Sequence, residues 1–174
     1  MRRSAWLALF SVLFMAGCGM PGSGPKMTGT TLTETQRFTL KDLKGDSVSL
    51  NDVLSKHKAV LIDFWATWCG YCMEEMPELI KLQSKFEAQG FTILGVDEGE
   101  STDAVSAYVK KAKLNFPIVL DEETEVAQAY GIVGIPTSIL VASSGEVLGE
   151  YHSFTKNLEE DVEKAVKKAP ENAK

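Results

Sequence analysis

Two cysteines in this chain have the spacing of a reversible dithiol. Cys69 and Cys72 are three residues apart, in the run Trp68-Cys69-Gly70-Tyr71-Cys72. Residues i and i+3 of a helix are neighbours, so the two sulfurs can form a disulfide and release it again. Unpaired N–H groups and the helix dipole favour a thiolate at the first cysteine. We therefore predict a redox dithiol in which Cys69, partly exposed, is the nucleophile and Cys72, one turn deeper, is the resolving thiol.

The elements around this pair predict how it is positioned. Residues 59–66 form an apolar run typical of a buried strand, and residues 70–88 are expected to form a helix that ends at Gly90. Asn51 or Asp52 is expected to cap a short helical turn. Other predicted elements are hairpins at 38–50 and 138–151, strands at 91–96 and 118–120, and helices at 102–113, 122–130 and 158–169. This order predicts an α/β sandwich around a mixed sheet.

Asp63 is an acid within the apolar strand, six residues before Cys69. Burial of an acid is unfavourable, so its presence there indicates a role. Desolvation should raise the pKa of its carboxyl, which suits a general acid or base. The alternative is an acid on an exposed face of the strand.

Composition limits the classes of function. The chain has 174 residues, 44% of them hydrophobic, which indicates one domain with a packed core plus appendages. Its net charge is −6, and it becomes −8 without residues 1–17, which hold two arginines and no acid. An acidic chain of this kind argues against nucleic acid as a partner.

The N-terminus has the pattern of a targeting segment. Arg2 and Arg3 precede an apolar stretch at residues 5–16, which is too short for a spanning helix. The run Met15-Ala16-Gly17-Cys18 resembles a bacterial lipobox, which implies a lipid on Cys18 after removal of residues 1–17. An ordinary signal peptide with an incidental cysteine is the alternative.

Residues 18–35 are expected to form a lipidated cysteine followed by a flexible linker. Residues 19–35 are rich in Gly, Pro, Ser and Thr and show no apolar period. The folded domain is then expected at residues 36–174.

Two segments resemble the thioredoxin superfamily, and within it the TlpA/ResA-like thiol–disulfide oxidoreductases, which act outside the cytoplasm and are tethered to the membrane. The segments are VLIDFWATWCGYCMEEMP at residues 60–77 and FPIVLDEETEVAQAYGIVGIPTSILVASSGEVL at residues 116–148. The resemblance extends from Arg37 to about Lys168. It implies a thioredoxin-like three-layer sandwich, with a mixed central sheet, an N-terminal β-hairpin and an inserted αβ segment at residues 97–120.

The resemblance also implies roles for residues near the dithiol. Asp63 matches a buried acid that exchanges protons with the inner cysteine. Gly70 and Tyr71 stand at the positions that tune the thiols. Glu100 aligns with an acid near the dithiol, and Asp97 and Glu98 are rival candidates. A solvated loop acid is the alternative for Glu100.

Substrate contacts are implied at a second segment. The resemblance predicts a cis peptide bond before Pro136, so that the backbone of Ile135 can pair with an extended substrate. Trp68 is the best candidate for a rim residue that faces substrate. Gly70 and Tyr71 are further candidates, although Tyr71 could simply face solvent.

These features together predict a lipid-anchored reductase of disulfides in extracytoplasmic proteins, with apocytochrome c among the substrates that the resemblance implies. Its electrons would come from a membrane dithiol carrier, and we expect a monomer without cofactor or metal.

One alternative is a thiol peroxidase, but Ala66 stands where its motif P-x-x-x-T-x-x-C has Thr. The other is a metal-binding module, for which no third ligand is evident because His57 and His152 are isolated. Met73 directly after Cys72 excludes a c-type haem site, which needs His there.

Overall fold

The sheet is the centre of the molecule. A computed structural model describes residues 28–168, and in this range seven strands form one mixed sheet in the order β2-β1-β5-β4-β3-β6-β7. Strands β3, β4 and β5 are parallel, and the other neighbours are antiparallel. The strands are β1 (Thr39–Asp42), β2 (Ser47–Ser49), β3 (Ala59–Trp65), β4 (Phe91–Glu98), β5 (Ile118–Asp121), β6 (Thr137–Ala142) and β7 (Val147–Tyr151).

Helices cover both faces of this sheet. One apolar cluster joins the sheet to α2, α3 and α5, and a second joins its other face to α1 and α4. This arrangement is the predicted three-layer sandwich, and α3 with β5 is the inserted segment. The helices are α1 (Leu50–Lys56), α2 (Gly70–Phe86), α3 (Thr102–Ala112), α4 (Glu125–Tyr130) and α5 (Lys156–Lys168). Within residues 28–168, no helix is long and apolar enough to cross a membrane.

Strand β3 lies between β4 and β6, and all seven of its residues are buried. Successive side chains point to opposite faces of a strand. Leu61 and Trp65 accordingly belong to the cluster on the α2 face, whereas Ile62 and Phe64 belong to the other cluster. Asp63 shares the parity of Leu61 and Trp65, so its carboxyl lies on the same side of the sheet as the helix that follows the dithiol.

Three helix starts differ from the prediction, and one of them is that of α5, which begins at Lys156 and not at residue 158. Helix α1 begins at Leu50, directly after Ser49, and not behind a cap at Asn51 or Asp52. Helix α4 begins at Glu125, three residues later than predicted. The Asp121 carboxylate accepts hydrogen bonds from the backbone N–H groups of Val126 and Ala127 at 3.2 and 2.9 Å. Asp121 thus caps the first turn of α4 from the end of β5, and the chain turns between them before the helix begins.

The linker prediction is wrong for its last residues. Leu32 is buried, and the N–H groups of Gly29 and Leu32 donate to the carbonyls of Val147 and Gly145 at 2.7 and 2.9 Å. The segment is therefore held against the start of β7, and the domain includes residues before 36. Residues 1–27 and 169–174, with the predicted signal peptide and Cys18, lie outside the described residues.

Candidate active site

The two cysteines form a disulfide at the N-terminus of α2. Their Cα atoms are 5.3 Å apart. Cys69 is the N-cap residue, and the backbone N–H of Cys72 donates to its Sγ at 3.1 Å. The same N–H and the helix dipole would stabilise a thiolate on Cys69 after reduction. The helix therefore begins where the sequence predicts and gives Cys69 the environment of a nucleophile.

Cys72 is buried, as predicted, but Cys69 is less accessible than predicted. Cys72 is fully buried, but Cys69, predicted to be partly exposed, is only 6% exposed in the disulfide. The loop before Pro136 covers it, and the carbonyl oxygen of Ile135 lies 3.7 Å from its Sγ. The sequence alone does not show this contact, because it joins residues 66 positions apart.

The Ile135–Pro136 peptide bond is cis, in agreement with the prediction. Pro136 itself is buried, whereas Ile135 is half-buried and Gly134 is exposed. The Thr137 hydroxyl donates to the Gly134 carbonyl at 2.7 Å and fixes the loop from its far side. The backbone of Ile135 therefore lies beside the sulfur that a substrate would have to reach.

Asp63 is completely buried on the α2 side of the sheet. The Ser138 hydroxyl donates to its Oδ1 at 2.7 Å, while Oδ2 has no hydrogen-bond partner in the described part of the chain. Burial, and then the nearby carboxylate of Glu75, raise the pKa of Asp63 to about 8, and the Ser138 hydrogen bond opposes the shift. The carboxyl can therefore hold a proton near neutral pH, as predicted.

Glu75 is a site residue that the sequence analysis missed. It lies on α2, one turn after Cys72, and is only 7% exposed. Its Oε2 accepts a hydrogen bond from the backbone N–H of Phe154 at 2.8 Å, and its Oε1 has no partner within residues 28–168. Burial raises the pKa of Glu75, and the Phe154 N–H opposes this. Two buried carboxyls, Asp63 and Glu75, thus lie on the same side of the sheet as the disulfide.

Glu100 holds the loop that leads into Cys69. It accepts hydrogen bonds from both the backbone N–H and the hydroxyl of Thr67, the latter at 2.6 Å. Glu100 therefore orients the loop two residues before the nucleophile, and it does not itself touch a sulfur in these contacts. Its rival Asp97 is fully buried, and burial and the adjacent Glu100 carboxylate raise the pKa of Asp97 to about 8. Burial and the charge of Asp121 also raise the pKa of the second rival, Glu98.

Apolar side chains surround the dithiol at the surface. Trp68 is 69% exposed, Tyr71 is 76% exposed and Val133 is fully exposed. Gly70 is exposed, and a Cβ built on it would meet no atom within 4 Å. Three large exposed apolar groups around one reactive pair are typical of a surface that contacts another molecule. Trp68, Gly70 and Tyr71, which the sequence predicts as substrate contacts, are exposed next to the dithiol, and Val133 extends that surface.

An open cavity of about 560 Å³ adjoins this surface. It lies between the N-terminal half of α2 and the loop that contains the cis bond, and its lining includes Tyr71, Glu75 and Pro136. His152 lines it as well, with its Nδ1 3.2 Å from the Thr137 hydroxyl oxygen. His57 lies elsewhere and has its Nδ1 2.8 Å from the Val53 carbonyl oxygen. Within residues 28–168, no group of three or more His, Cys, Asp or Glu could hold a metal ion.

The sandwich, the dithiol at the start of α2 and the cis bond beside it define a protein of the thioredoxin-like fold. The thioredoxin domain of a thiol–disulfide oxidoreductase from Bacteroides vulgatus is similar, with 36% identity and a TM-score of 0.70 over 80% of this chain and 97% of that one. A thiol:disulfide interchange protein from a Bacteroides species is similar as well, with 37% identity and a TM-score of 0.70 over 83% of this chain and 93% of that one.

Within this fold class, the chain belongs to the AhpC/TSA family, whose model matches residues 32–149. It is similar to proteins named thiol–disulfide oxidoreductase ResA. The one from Bacillus thuringiensis is 37% identical over 117 residues, which cover 67% of this chain and 66% of the relative. The one from Bacillus subtilis is 36% identical over 116 residues, which cover 67% of this chain and 64% of the relative. The chain thus spans about two thirds of the length of these relatives.

Proposed function

We propose that this protein is a thiol–disulfide oxidoreductase that reduces disulfides in other proteins. The observation that supports this most is the position of the Cys69–Cys72 disulfide, at a helix N-terminus and against the loop of Ile135. The names of the relatives support the same class of activity. In the proposed reaction two electrons pass from the reduced dithiol to the substrate.

The reaction proceeds in two exchanges. The Cys69 thiolate attacks one sulfur of the substrate disulfide, so an intermolecular S–S bond forms, the substrate bond breaks, and the released substrate sulfur takes up a proton. Cys72 then loses its proton and attacks Cys69 Sγ. The mixed disulfide breaks, the second substrate thiol is released, and the Cys69–Cys72 disulfide is restored. An external dithiol must reduce this disulfide before the next cycle.

Asp63 is the proposed acceptor of the Cys72 proton in the second exchange. Cys72 is fully buried, so its thiol needs a base within the protein or one reached through a water. Asp63 is buried on the same side of the sheet, and burial raises the pKa of its carboxyl to about 8. A carboxyl with this pKa can accept a proton and release it again near neutral pH. Glu75, whose nearby carboxylate contributes to this rise in the pKa of Asp63, lines the cavity.

We further propose that the protein acts outside the cytoplasm, anchored by a lipid on Cys18, and receives electrons from a membrane dithiol carrier. The basis is the sequence of residues 1–18 and the resemblance to the TlpA/ResA-like branch. Apocytochrome c and other oxidised extracytoplasmic proteins are the proposed substrates on the same basis. Cys18→Ser should release the folded domain from membranes, measured by fractionation after cell lysis. Retention of this variant in the membrane would show that another segment anchors the chain.

A trapping experiment tests the activity. In Cys72→Ala the second exchange cannot occur, so substrates should remain attached to Cys69 as mixed disulfides that thiols release. Mass spectrometry of these adducts identifies the substrates, and Cys69→Ala is the control that should trap none. The wild-type protein should also reduce a model protein disulfide. Equal trapping by both variants, together with no reduction by the wild type, would refute the proposal.

A further inference from the structure

Asp97 is a buried acid that the proposed reaction does not use. It lies on β4 directly beside Trp65 of β3, and it shares the parity of Ile93, so its carboxyl faces the side of the sheet that α2 covers. The residue is fully buried, and neither carboxyl oxygen has a hydrogen-bond partner within residues 28–168. An ionised carboxylate here would bear the full cost of desolvation, so this group is expected to hold a proton and to donate it to a neighbour.

The Glu100 side chain is the neighbour that can accept this proton in a hydrogen bond. A sharp turn separates the two acids, in which Gly99 has a φ of 73° and its N–H donates to the Asp121 carbonyl at 3.1 Å. Beyond this turn, the Glu100 carboxylate lies near enough to Asp97 to act on it both as a charge and as a hydrogen-bonding group. Two ionised carboxylates are both acceptors, so a hydrogen bond between them needs one proton.

Glu100 also holds the turn that presents Cys69. Its carboxylate accepts hydrogen bonds from the backbone N–H of Thr67 and from the Thr67 hydroxyl, the latter at 2.6 Å. Thr67 is the second residue of a turn over residues 66–69, in which the Cys69 N–H donates to the Ala66 carbonyl at 3.1 Å. The position of Glu100 therefore fixes the 66–69 turn, which connects the end of β3 to the N-cap of α2.

We propose that Asp97 and Glu100 share one proton, and that Asp97 is a positioning residue that holds Glu100 against the 66–69 turn. This inference rests on the proposed function, since the turn carries the proposed nucleophile. With the proton on Asp97, its O–H donates to Glu100, which keeps the negative charge that binds the two donors of Thr67. When this proton is lost to solvent, two negative charges face each other in a buried place. Their repulsion displaces Glu100 and loosens the turn.

The groups around Asp97 favour the shared proton. Burial, then Glu100 and then Glu98 raise the pKa of Asp97 to about 8, and the backbone N–H of Glu100 opposes the shift. From β5, the charge of Asp121 acts on Glu98. On α3, Tyr108 packs against the adjacent tryptophan, and burial raises the pKa of its phenol, so it stays neutral. Within residues 28–168, no lysine, arginine or α2 side chain is among the charges that act on Asp97. The turn is therefore held at neutral pH and loosens as the pH rises above about 8.

NMR of the oxidised full chain tests the pair without redox chemistry, because cysteines in a disulfide do not titrate. The carbon-13 shift of the Asp97 carboxyl should report a protonation at about pH 8, and the Thr67 amide proton should shift with the same midpoint. Asp97→Asn keeps a donor and cannot ionise, so it should abolish this step at Thr67 and keep the amide protected against exchange. Asp97→Leu removes the donor, so exchange of the Thr67 amide at about pH 6 should become about tenfold faster.

Asp63→Asn is the matched control for this titration. The pKa of Asp63 is also about 8, but this acid hydrogen bonds to Ser138 and not to Glu100, so its loss should leave the step at Thr67 in place. A Thr67 amide that does not titrate between about pH 6 and pH 10, or a step that persists in Asp97→Asn, would refute the shared proton. Asp97→Asn decides the matter alone if Asp97→Leu does not fold.

Reduction rates connect the pair to the dithiol and separate this proposal from the proposed function. Reduced wild type and reduced Asp97→Asn are compared on a model protein disulfide. Their rates should agree at about pH 6, and Asp97→Asn should be about threefold faster at about pH 9, where only the wild type has a displaced turn. Equal rates at both pH values would refute the positioning role. Reduction without the step at Thr67 would refute the pair and leave the oxidoreductase intact, whereas the step without any reduction would support the pair and refute the oxidoreductase.

Discussion

The substitution Asp63→Asn tests whether the buried acid is protonated in the folded protein. Asn has the same size and cannot ionise. Its Oδ1 can accept the Ser138 hydrogen bond that Asp63 accepts at 2.7 Å. Its Nδ2 would take the place of Oδ2, which has no partner in the described chain, so a donor would be left unpaired at a cost of about 1–3 kcal/mol at every pH.

The pH-dependent effect of Asp63 on the free energy of unfolding is larger than this constant cost and has a definite sign. Burial and the nearby Glu75 raise the pKa of Asp63 from 3.8 to about 8, so ionisation of the folded state costs on the order of 5 kcal/mol. Between about pH 4 and pH 8 the folded chain holds a proton that the unfolded chain has lost. The contribution of Asp63 to the free energy of unfolding of the wild type is therefore fully present below about pH 4. It falls by about 1.4 kcal/mol per pH unit across that window. Asp63→Asn has no such loss.

Urea unfolding of the oxidised proteins at pH 5, 6, 7 and 8 measures this difference. The free energy of unfolding of Asp63→Asn minus that of the wild type should start near zero at pH 5 and increase by about 1.4 kcal/mol per unit until about pH 8. Asp52→Asn, at an exposed aspartate, controls for the general loss of a carboxylate. A difference that stays constant with pH would show that Asp63 is not protonated in the folded state. That result would also refute its role as proton acceptor.

Two further predictions concern the loop before the nucleophile and the thiols themselves. Thr67→Val removes the hydroxyl that donates to Glu100 at 2.6 Å, so the free energy of unfolding should fall by about 1.5 kcal/mol in urea titrations, and an unchanged midpoint would contradict this. In the reduced protein Cys69 should be alkylated at lower pH than Cys72, because the helix N-terminus and the Cys72 N–H, 3.1 Å away, stabilise its thiolate. Peptide mass spectrometry after labelling at several pH values measures both thiols, and faster labelling of Cys72 would reverse their roles.

The features predicted correctly from the sequence depend on local patterns. An apolar run followed by the cysteine pair and an amphipathic segment indicates strand β3, the dithiol and helix α2, because each signal lies within a few residues. The burial of Asp63 follows from its apolar neighbours in the same strand. The cis bond before Pro136 was implied by the resemblance of the surrounding residues and not by the local pattern alone.

Features that depend on distant segments could not be predicted in this way. Glu75 stands between Glu74 and Glu78, which together suggest a solvated acidic face, yet it is buried and accepts a hydrogen bond from the backbone N–H of Phe154, after β7. Cys69 is covered by a loop that follows in sequence only after α4. In each case the deciding contact is tertiary, and the local pattern indicates a more exposed residue than the structure has.

The separation of these contacts along the chain has a consequence for the order of folding. Cys69 meets Ile135, Asp63 meets Ser138 and Glu75 meets Phe154 across 66, 75 and 79 residues. Contacts between such distant segments form late, because a long loop must close first. Until β6 and the segment after β7 are in place, Cys69 lacks the Ile135 backbone that covers it, Asp63 lacks its Ser138 partner and Glu75 lacks the N–H of Phe154. The surroundings of the dithiol therefore depend on the C-terminal third of the chain, and a chain cut short before β6 would retain the thiols without these three contacts.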